Sequence, residues 1–280
     1  MPENPKQRIA AALDRPGRRH ILRPLATIYA SVRNRRLVRV ADEAGLWVHH
    51  HRNAKVVFRG IYTIAPAELD AITRDTFFYT YTPRQGDVVI DVGAGVGTET
   101  LTLSRLVGDR GRVIAIEAHP ETYRCLAKLC ELNDLENVSP RQLAIMDRSG
   151  PVTLSDSETD ISNTVMRETP GAIEVPGMSL DEVIDMERLT RIDFLKMNIE
   201  GAEALALHGM GRALSMTEHL AISCHDFIAD ARGDESMRTK ATVRKALEAQ
   251  GFGVTERTTD PRRWIRDTLY GTRAPHALLE

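Results

Sequence analysis

From residue 87 onward, short apolar runs alternate with stretches of helical period. Asp87 to Val92 is a compact apolar run of the kind a buried parallel strand shows. Gly97 to Val107 follows with Leu101, Leu103 and Leu106 and predicts a helix. Arg112 to Ala118 is a second strand, Pro120 to Leu132 a second helix with proline at a permitted first position, and Val138 to Ile145 a third strand. Pro151 to Leu154 reads as a short extra strand, and Ser155 to Pro176, polar and without period, as a loop over the site. Ser179 with Glu182 three residues later is a capping box, so a short helix spans Ser179 to Met186. Ile192 to Ile199 is a fourth strand, Ala202 to His208 a helix and His219 to His225 a fifth strand. A helix over Met237 to Gln250 stops at Gly251, and Phe252 to Thr258 and Trp264 to Thr272 close the chain as two strands. This order implies an α/β, Rossmann-like, doubly wound and mostly parallel seven-stranded sheet with one antiparallel edge.

The first 80 residues break that rhythm and are expected to form an N-terminal extension to a ligand-binding domain over 81–280. Residues 1 to 19 read as a loose arm. His20 to Val40 carries Ile21, Leu22, Leu25, Ile28, Tyr29, Val32, Leu37 and Val40 at mostly helical spacing, an amphipathic helix with a basic face. Trp47 to Phe58 alternates as a hairpin turning at Asn53, and Pro66 to Tyr79 reads as another helix. No motif marks this region, although it can still contribute pocket residues.

Composition narrows the class. The chain has 280 residues, 42% hydrophobic and 27% charged, as a soluble globular chain does. A net charge of -2 makes no case for a nucleic-acid partner. The charge is uneven, however: no acidic residue lies between Asp14 and Asp42, where eight arginines do (Arg15, Arg18, Arg19, Arg23, Arg33, Arg35, Arg36 and Arg39). Segment 15–39 could contact an anionic membrane surface or an acidic partner, but packing its apolar face on the main domain is the default. Three cysteines, Cys125, Cys130 and Cys224, argue against a disulfide framework, and with no signal-peptide core the cytoplasm is the expected location. His49-His50-His51 would offer one ion at most two ligands on one strand face, so no metal is expected.

Asp91-Val92-Gly93-Ala94-Gly95-Val96-Gly97 follows a strand and opens a helix. Glycines let the backbone turn tightly against a ligand, and the helix start offers unpaired N–H groups. A dinucleotide fingerprint would place its third glycine at Thr98; here it comes one residue early, at Gly97, which favours the aminoacyl part of S-adenosylmethionine over a pyrophosphate. Glu117 ends the second strand, where a carboxylate can accept both ribose hydroxyls, and His119 is a further candidate for the adenine pocket.

Met178-Ser179-Leu180-Asp181-Glu182-Val183 followed by Ile192-Asp193-Phe194-Leu195-Lys196-Met197-Asn198-Ile199-Glu200-Gly201-Ala202-Glu203 resembles the FkbM family of S-adenosylmethionine-dependent methyltransferases, with its "LDE" helix and "DFLKIDVEGAE" strand. The resemblance runs from Asp87 to Cys224, about half the chain. It implies a class I methyltransferase fold, S-adenosylmethionine as cofactor with S-adenosylhomocysteine as product, and an adenine site near Ala144. The cofactor set is then Asp91, Gly93, Gly95, Gly97, Thr98, Glu117, Ala118 and Ala144. Two positions depart from the family pattern: Asn198 stands where the family has aspartate, and Ser223 replaces the glutamate of its "E-x-H".

Methyl transfer to a hydroxyl needs alignment and a proton acceptor. His225 at the end of the fifth strand is the expected base, with Glu200 orienting it or the acceptor and Asn198 contacting cofactor or acceptor; Asp226 next door could orient His225. The resemblance implies O-methylation of a sugar, glycan, glycolipid or other natural product. An NAD-dependent oxidoreductase and a non-catalytic binding protein of the same fold are the rivals. A homodimer is plausible from the arm and the edge strands.

Overall fold

A computed structural model describes Asp14 and residues 19–60, 64–154 and 172–273. The elements in chain order are α1 (Arg19–Asn34), β1 (Arg39–Glu43), β2 (Leu46–His50), β3 (Lys55–Phe58), α2 (Pro66–Phe77), β4 (Val88–Val92), α3 (Thr98–Val107), β5 (Arg112–Glu117) and α4 (Pro120–Leu132). Then come β6 (Val138–Gln142), β7 (Ala144–Met146), β8 (Gly150–Leu154), β9 (Ile173–Ser179), α5 (Leu180–Glu187), β10 (Ile192–Met197), α6 (Glu203–Ala206) and α7 (Gly211–Ser215). β11 (Thr217–Ser223), α8 (Asp226–Arg232), α9 (Lys240–Ala249), β12 (Phe252–Glu256), α10 (Arg263–Arg266) and β13 (Thr268–Arg273) complete the chain.

The central sheet has seven strands in the order β12-β13-β11-β10-β4-β5-β6. The ladders from β11 through β6 are parallel, while β13 runs antiparallel to both β11 and β12. The antiparallel strand therefore lies one in from the edge. Strands such as Val89-Ile90 and Leu195 are fully buried because helices cover both faces, which is why they read as unbroken apolar runs. The order reverses at β4, so the crevice lies beyond the carboxyl ends of β4, β5 and β10.

The expected third strand is two. The chain pairs with β5 as far as Gln142, turns at Leu143, and then pairs as β7 with β9 in a separate sheet β7-β9-β8. β9 begins within the segment expected to be loop, at Ile173, and runs three residues past it to Ser179; residues 155–171 of that segment lie outside the described residues. The Ser179 capping box is present with both reciprocal bonds.

The extension forms an antiparallel sheet β1-β2-β3, with the hairpin where expected, but α1 stops at Asn34 and not Val40, because Arg39–Glu43 pairs with β2 as a strand. Its packing differs from the default for α1. The helix turns its small residues inward, Ala26 and Ala30 lying with Val38, Val40 and Trp47 in one cluster, while Ile21, Leu25, Ile28, Tyr29 and Val32 stay exposed.

Candidate active site

A cavity of about 270 Å³ opens at the carboxyl ends of β4, β5 and β10. Of the residues singled out in the sequence, Gly93, Gly95, Thr98, Glu117, Ala118, Ala144, Asn198 and Glu200 line it. Asp91, Gly97 and His225 do not.

Each glycine of the loop has its own physical cause. Gly93 has φ +72°, and a Cβ there would sit 2.0 Å from the Asn198 carbonyl oxygen, so the loop lies directly against the end of β10. Gly97 has φ +90°, and its close neighbour is Leu126 of α4; its absence of side chain serves packing behind the cavity. Gly95, φ +57°, has open space for 4 Å around the point where a Cβ would stand, and it faces the cavity.

Asp91 is fully buried beneath this loop. Its register partner on β10 is Lys196, whose Nζ lies 2.9 Å from Asp91 Oδ1 and donates to the Gly93 carbonyl at 2.7 Å. Thr100 of α3 donates to Asp91 Oδ2 at 2.7 Å. Burial alone would lower the Lys196 pKa, but the Asp91 carboxylate more than offsets this and raises it. Asp91 thus fixes the loop through Lys196 and Thr100 and does not face the ligand space. Lys196 itself lines the cavity, and sequence reasoning missed it. The signal was there: a lysine inside a buried strand needs a partner, and Asp91 is the acid on the neighbouring strand.

Glu117 Oε2 accepts the Gly95 N–H at 2.9 Å and Oε1 accepts the His119 N–H at 2.8 Å. Burial pushes its pKa up, against the pull of these two amides. Both oxygens are oriented by backbone and keep lone pairs for hydroxyl donors. His119 is the N-cap of α4, its Nδ1 accepting from the Thr122 amide; it is buried and absent from the cavity lining. Leu143, Ala144, Ile145 and Leu154 add an apolar wall. An open glycine backbone, a backbone-oriented carboxylate and an apolar wall are the donor set that a nucleoside carrying an aminoacyl group requires, so these residues fit S-adenosylmethionine.

Glu200 lines the cavity with φ +53°, a left-handed conformation uncommon outside glycine and a mark of stored strain. Behind it lies His225, 3% exposed. His225 Nδ1 is 2.8 Å from Glu203 Oε1 and Nε2 is 3.6 Å from Glu200 Oε1. Glu203 is fully buried and also accepts from the Gly201 amide and the Thr239 hydroxyl. Burial would lower the His225 pKa, but the Glu203 carboxylate and then Glu200 raise it to about 10. The ring is therefore an imidazolium at neutral pH, held between two carboxylates, and Glu200 is the member of the group at the cavity. Asp226 does not orient it: its Oδ1 accepts the amides of Thr239 and Lys240.

Phe58, Ile64 and Leu69 of the extension complete the lining. They are apolar residues in a region without motifs, which hides them from a reading by motif. Among the described residues no group of three or more His, Cys, Asp or Glu side chains could hold a metal ion.

Residues 91–253 match the methyltransferase FkbM domain model. The hexuronic acid methyltransferase AglP of Haloferax volcanii is 26% identical over 144 residues, 51% of this chain and 57% of that protein. Methyltransferase 1 of Beauveria bassiana is 22% identical over 217 residues, 68% of this chain and 83% of that one. The crystal structure of methyltransferase FkbM from Methylobacillus flagellatus superposes with a TM-score of 0.51 at 18% identity, covering 75% of this chain and 51% of that one, a likeness of fold. The chain thus spans little more than half the length of the Haloferax and Methylobacillus proteins. With the family model covering more than half of the sequence, the chain belongs to the FkbM family of S-adenosylmethionine-dependent methyltransferases.

Proposed function

We propose that the protein is an O-methyltransferase acting on a hydroxyl of a sugar or glycan, or of a related natural product, with Glu200 as the group that receives the acceptor's proton. The observation that carries this reading is Glu200 itself: a strained carboxylate at the cavity, braced from behind by the buried His225–Glu203 pair. Bound S-adenosylmethionine supplies the methyl group on a sulfonium centre. Gly93, Gly95 and Thr98 would hold its aminoacyl end, Glu117 its ribose and Ala144 with its neighbours its adenine. Glu200 accepts a hydrogen bond from the acceptor hydroxyl and takes its proton as the oxygen is methylated. Both ring nitrogens of His225 face carboxylates, which raise its pKa to about 10, so its role is to position Glu200, a different division of labour from the one expected from the sequence. Asn198, beside Glu200 in the lining, can donate and accept a hydrogen bond to the acceptor.

The sugar class is supported by the relative named as a hexuronic acid methyltransferase. An anionic Glu200 favours a hydroxyl over a carboxylate acceptor, because two carboxylates in one cavity repel. The test is turnover on a panel of uronic-acid and neutral glycosides, with products examined for base-stable ethers against base-labile esters. Glu200→Gln should lower kcat at least about 100-fold while calorimetry shows S-adenosylhomocysteine binding within a few-fold of wild type. Ester products, or undiminished turnover in Glu200→Gln, would remove the hydroxyl reading; cofactor binding without turnover on any acceptor would favour a binding protein.

A further inference from the structure

α1 presents the wrong face to its own domain. At about 100° per residue, Ile21, Leu25, Ile28, Tyr29 and Val32 fall within an arc of roughly 100°. All five are exposed, Ile28 at 61% and Val32 at 72%, and Leu37 just beyond the helix is 85% exposed. The opposite face is small: Ala26 and Ala30, packed with Trp47. An ordinary surface helix buries its bulky apolar residues and exposes its polar ones. Here a helix about 24 Å long carries a continuous stripe of large apolar side chains into solvent.

Basic residues frame the stripe. Arg33, Arg35, Arg36 and Arg39 cluster where the helix ends, on either side of Leu37, and Arg23 lies further back; all are exposed. Arg23, Arg35 and Arg36 have no carboxylate partner among the described residues, and Arg33 reaches only an exposed Glu68 at 3.6 Å. No acidic residue occurs from 15 to 41. The helix is also fixed in place before any partner arrives. The Ser31 hydroxyl accepts the Val38 amide at 3.0 Å, the Thr27 hydroxyl accepts the Val40 amide at 3.0 Å, and Arg19 pairs with Asp14 and Asp42. Docking therefore carries no free-energy cost for forming the helix.

We infer that α1 is a membrane-surface anchor: it lies in the interface of an anionic lipid bilayer, with its apolar stripe among the acyl chains and its arginines against the headgroups. The combination of an apolar stripe and unanswered positive charge selects this occupant. A second copy of the chain fits worse. A two-fold contact across the stripe, parallel or antiparallel, would bring two arginine-rich segments together with no acidic residue from 15 to 41 in either to answer them. No helix among the described residues is long and apolar enough to cross a membrane, so the contact is peripheral. The inference rests on the helix alone and is independent of the acceptor assigned above.

The experiment is co-sedimentation of the full chain with vesicles of phosphatidylcholine alone and of phosphatidylcholine containing about 30% phosphatidylglycerol, at low and high salt. Binding to the anionic vesicles is expected, falling at least about tenfold on neutral vesicles and weakening as salt rises. The triple variant Leu25→Ser/Ile28→Ser/Val32→Ser and the double variant Arg35→Glu/Arg36→Glu should each lose tenfold or more. The substituted side chains are exposed, so an unchanged melting temperature and unchanged S-adenosylhomocysteine binding certify that both variants are folded. Absence of wild-type binding at low salt, or a folded triple variant that still sediments like wild type, overturns the inference. So does light scattering that shows a wild-type dimer and a monomeric triple variant, since the stripe would then be a subunit contact.

Discussion

His225 illustrates how a neighbourhood assigns chemistry to a residue. Its place just past β11 was legible in the sequence, but its surroundings were not, because they depend on Glu203 at the start of α6 and Glu200 three residues beyond β10. Its folded pKa of about 10 lies above the ordinary value of 6.5 that it would have in the unfolded chain. The folded state therefore binds the proton more tightly, and the pair's contribution is fully present below pH 6.5 and lost as pH rises through about 10. Chemical-denaturation midpoints should accordingly fall between pH 7 and 10, with a slope of at most about 1.4 kcal/mol per pH unit from this group. His225→Gln should flatten that decline and lower the midpoint at pH 7. A profile as steep in His225→Gln as in wild type would place the titrating group elsewhere. If His225 positions Glu200, the variant should also lower kcat while S-adenosylhomocysteine binding stays within a few-fold of wild type.

At the scale of elements, β4, β5, β10 and β11 were readable because burial on both faces removes most polar residues from them, and the capping box announced α5. β9 was not readable. Ile173-Glu174-Val175-Pro176-Gly177 mixes a charge, a proline and a glycine, and Pro176 stands opposite Pro151 in the neighbouring strand, so the composition reads as loop although pairing on both sides makes it strand. β2 shows the reverse case, a strand predicted correctly whose cost was hidden. His49 is fully buried, and neither ring nitrogen has a hydrogen-bond partner. It stacks beside His51 and meets the edge of Phe58. Burial, then the charges of His51 and His50, push its pKa down to about 4. The unfolded chain takes up a proton near 6.5 that the folded chain refuses, so stability falls as pH drops from about 6.5 toward 4. His49→Leu, similar in volume and without a polar atom to desolvate, should raise the denaturation midpoint at pH 5 by on the order of 2–3 kcal/mol and shift the acid limb of stability to lower pH. An unaltered acid limb in this variant would show that His49 is not its source.

For the whole molecule, the question is whether the extension is a separate body or part of the catalytic core. Its sequence has a different rhythm, but its packing is continuous with the domain: Leu46, Val48, Val56 and Val57 share one apolar cluster with Leu101 of α3 and Cys125 and Leu129 of α4. Polar bonds tie the same seam. Asn133 accepts the Lys55 amide at 2.9 Å and donates to the Lys55 carbonyl at 2.7 Å, completing β3 as a neighbouring strand would, while Lys55 Nζ reaches the Leu132 carbonyl at the end of α4. Through Phe58, Ile64 and Leu69 this seam forms a wall of the cavity, so cofactor binding and the attachment of the extension share one set of contacts. The expected consequence is cooperative unfolding. The chain has two tryptophans, and in a Trp264→Phe background Trp47, fully buried in the extension, is the single fluorescent probe. Its unfolding transition should coincide with that of far-UV circular dichroism, which follows the central sheet. Asn133→Ala removes both bonds to Lys55 and should cost about 1–3 kcal/mol, moving the two transitions together and weakening S-adenosylhomocysteine binding. If Trp47 instead reports an early transition of its own in this variant, with the sheet and the cofactor affinity unaffected, the extension is an independent unit and its wall of the cavity is dispensable.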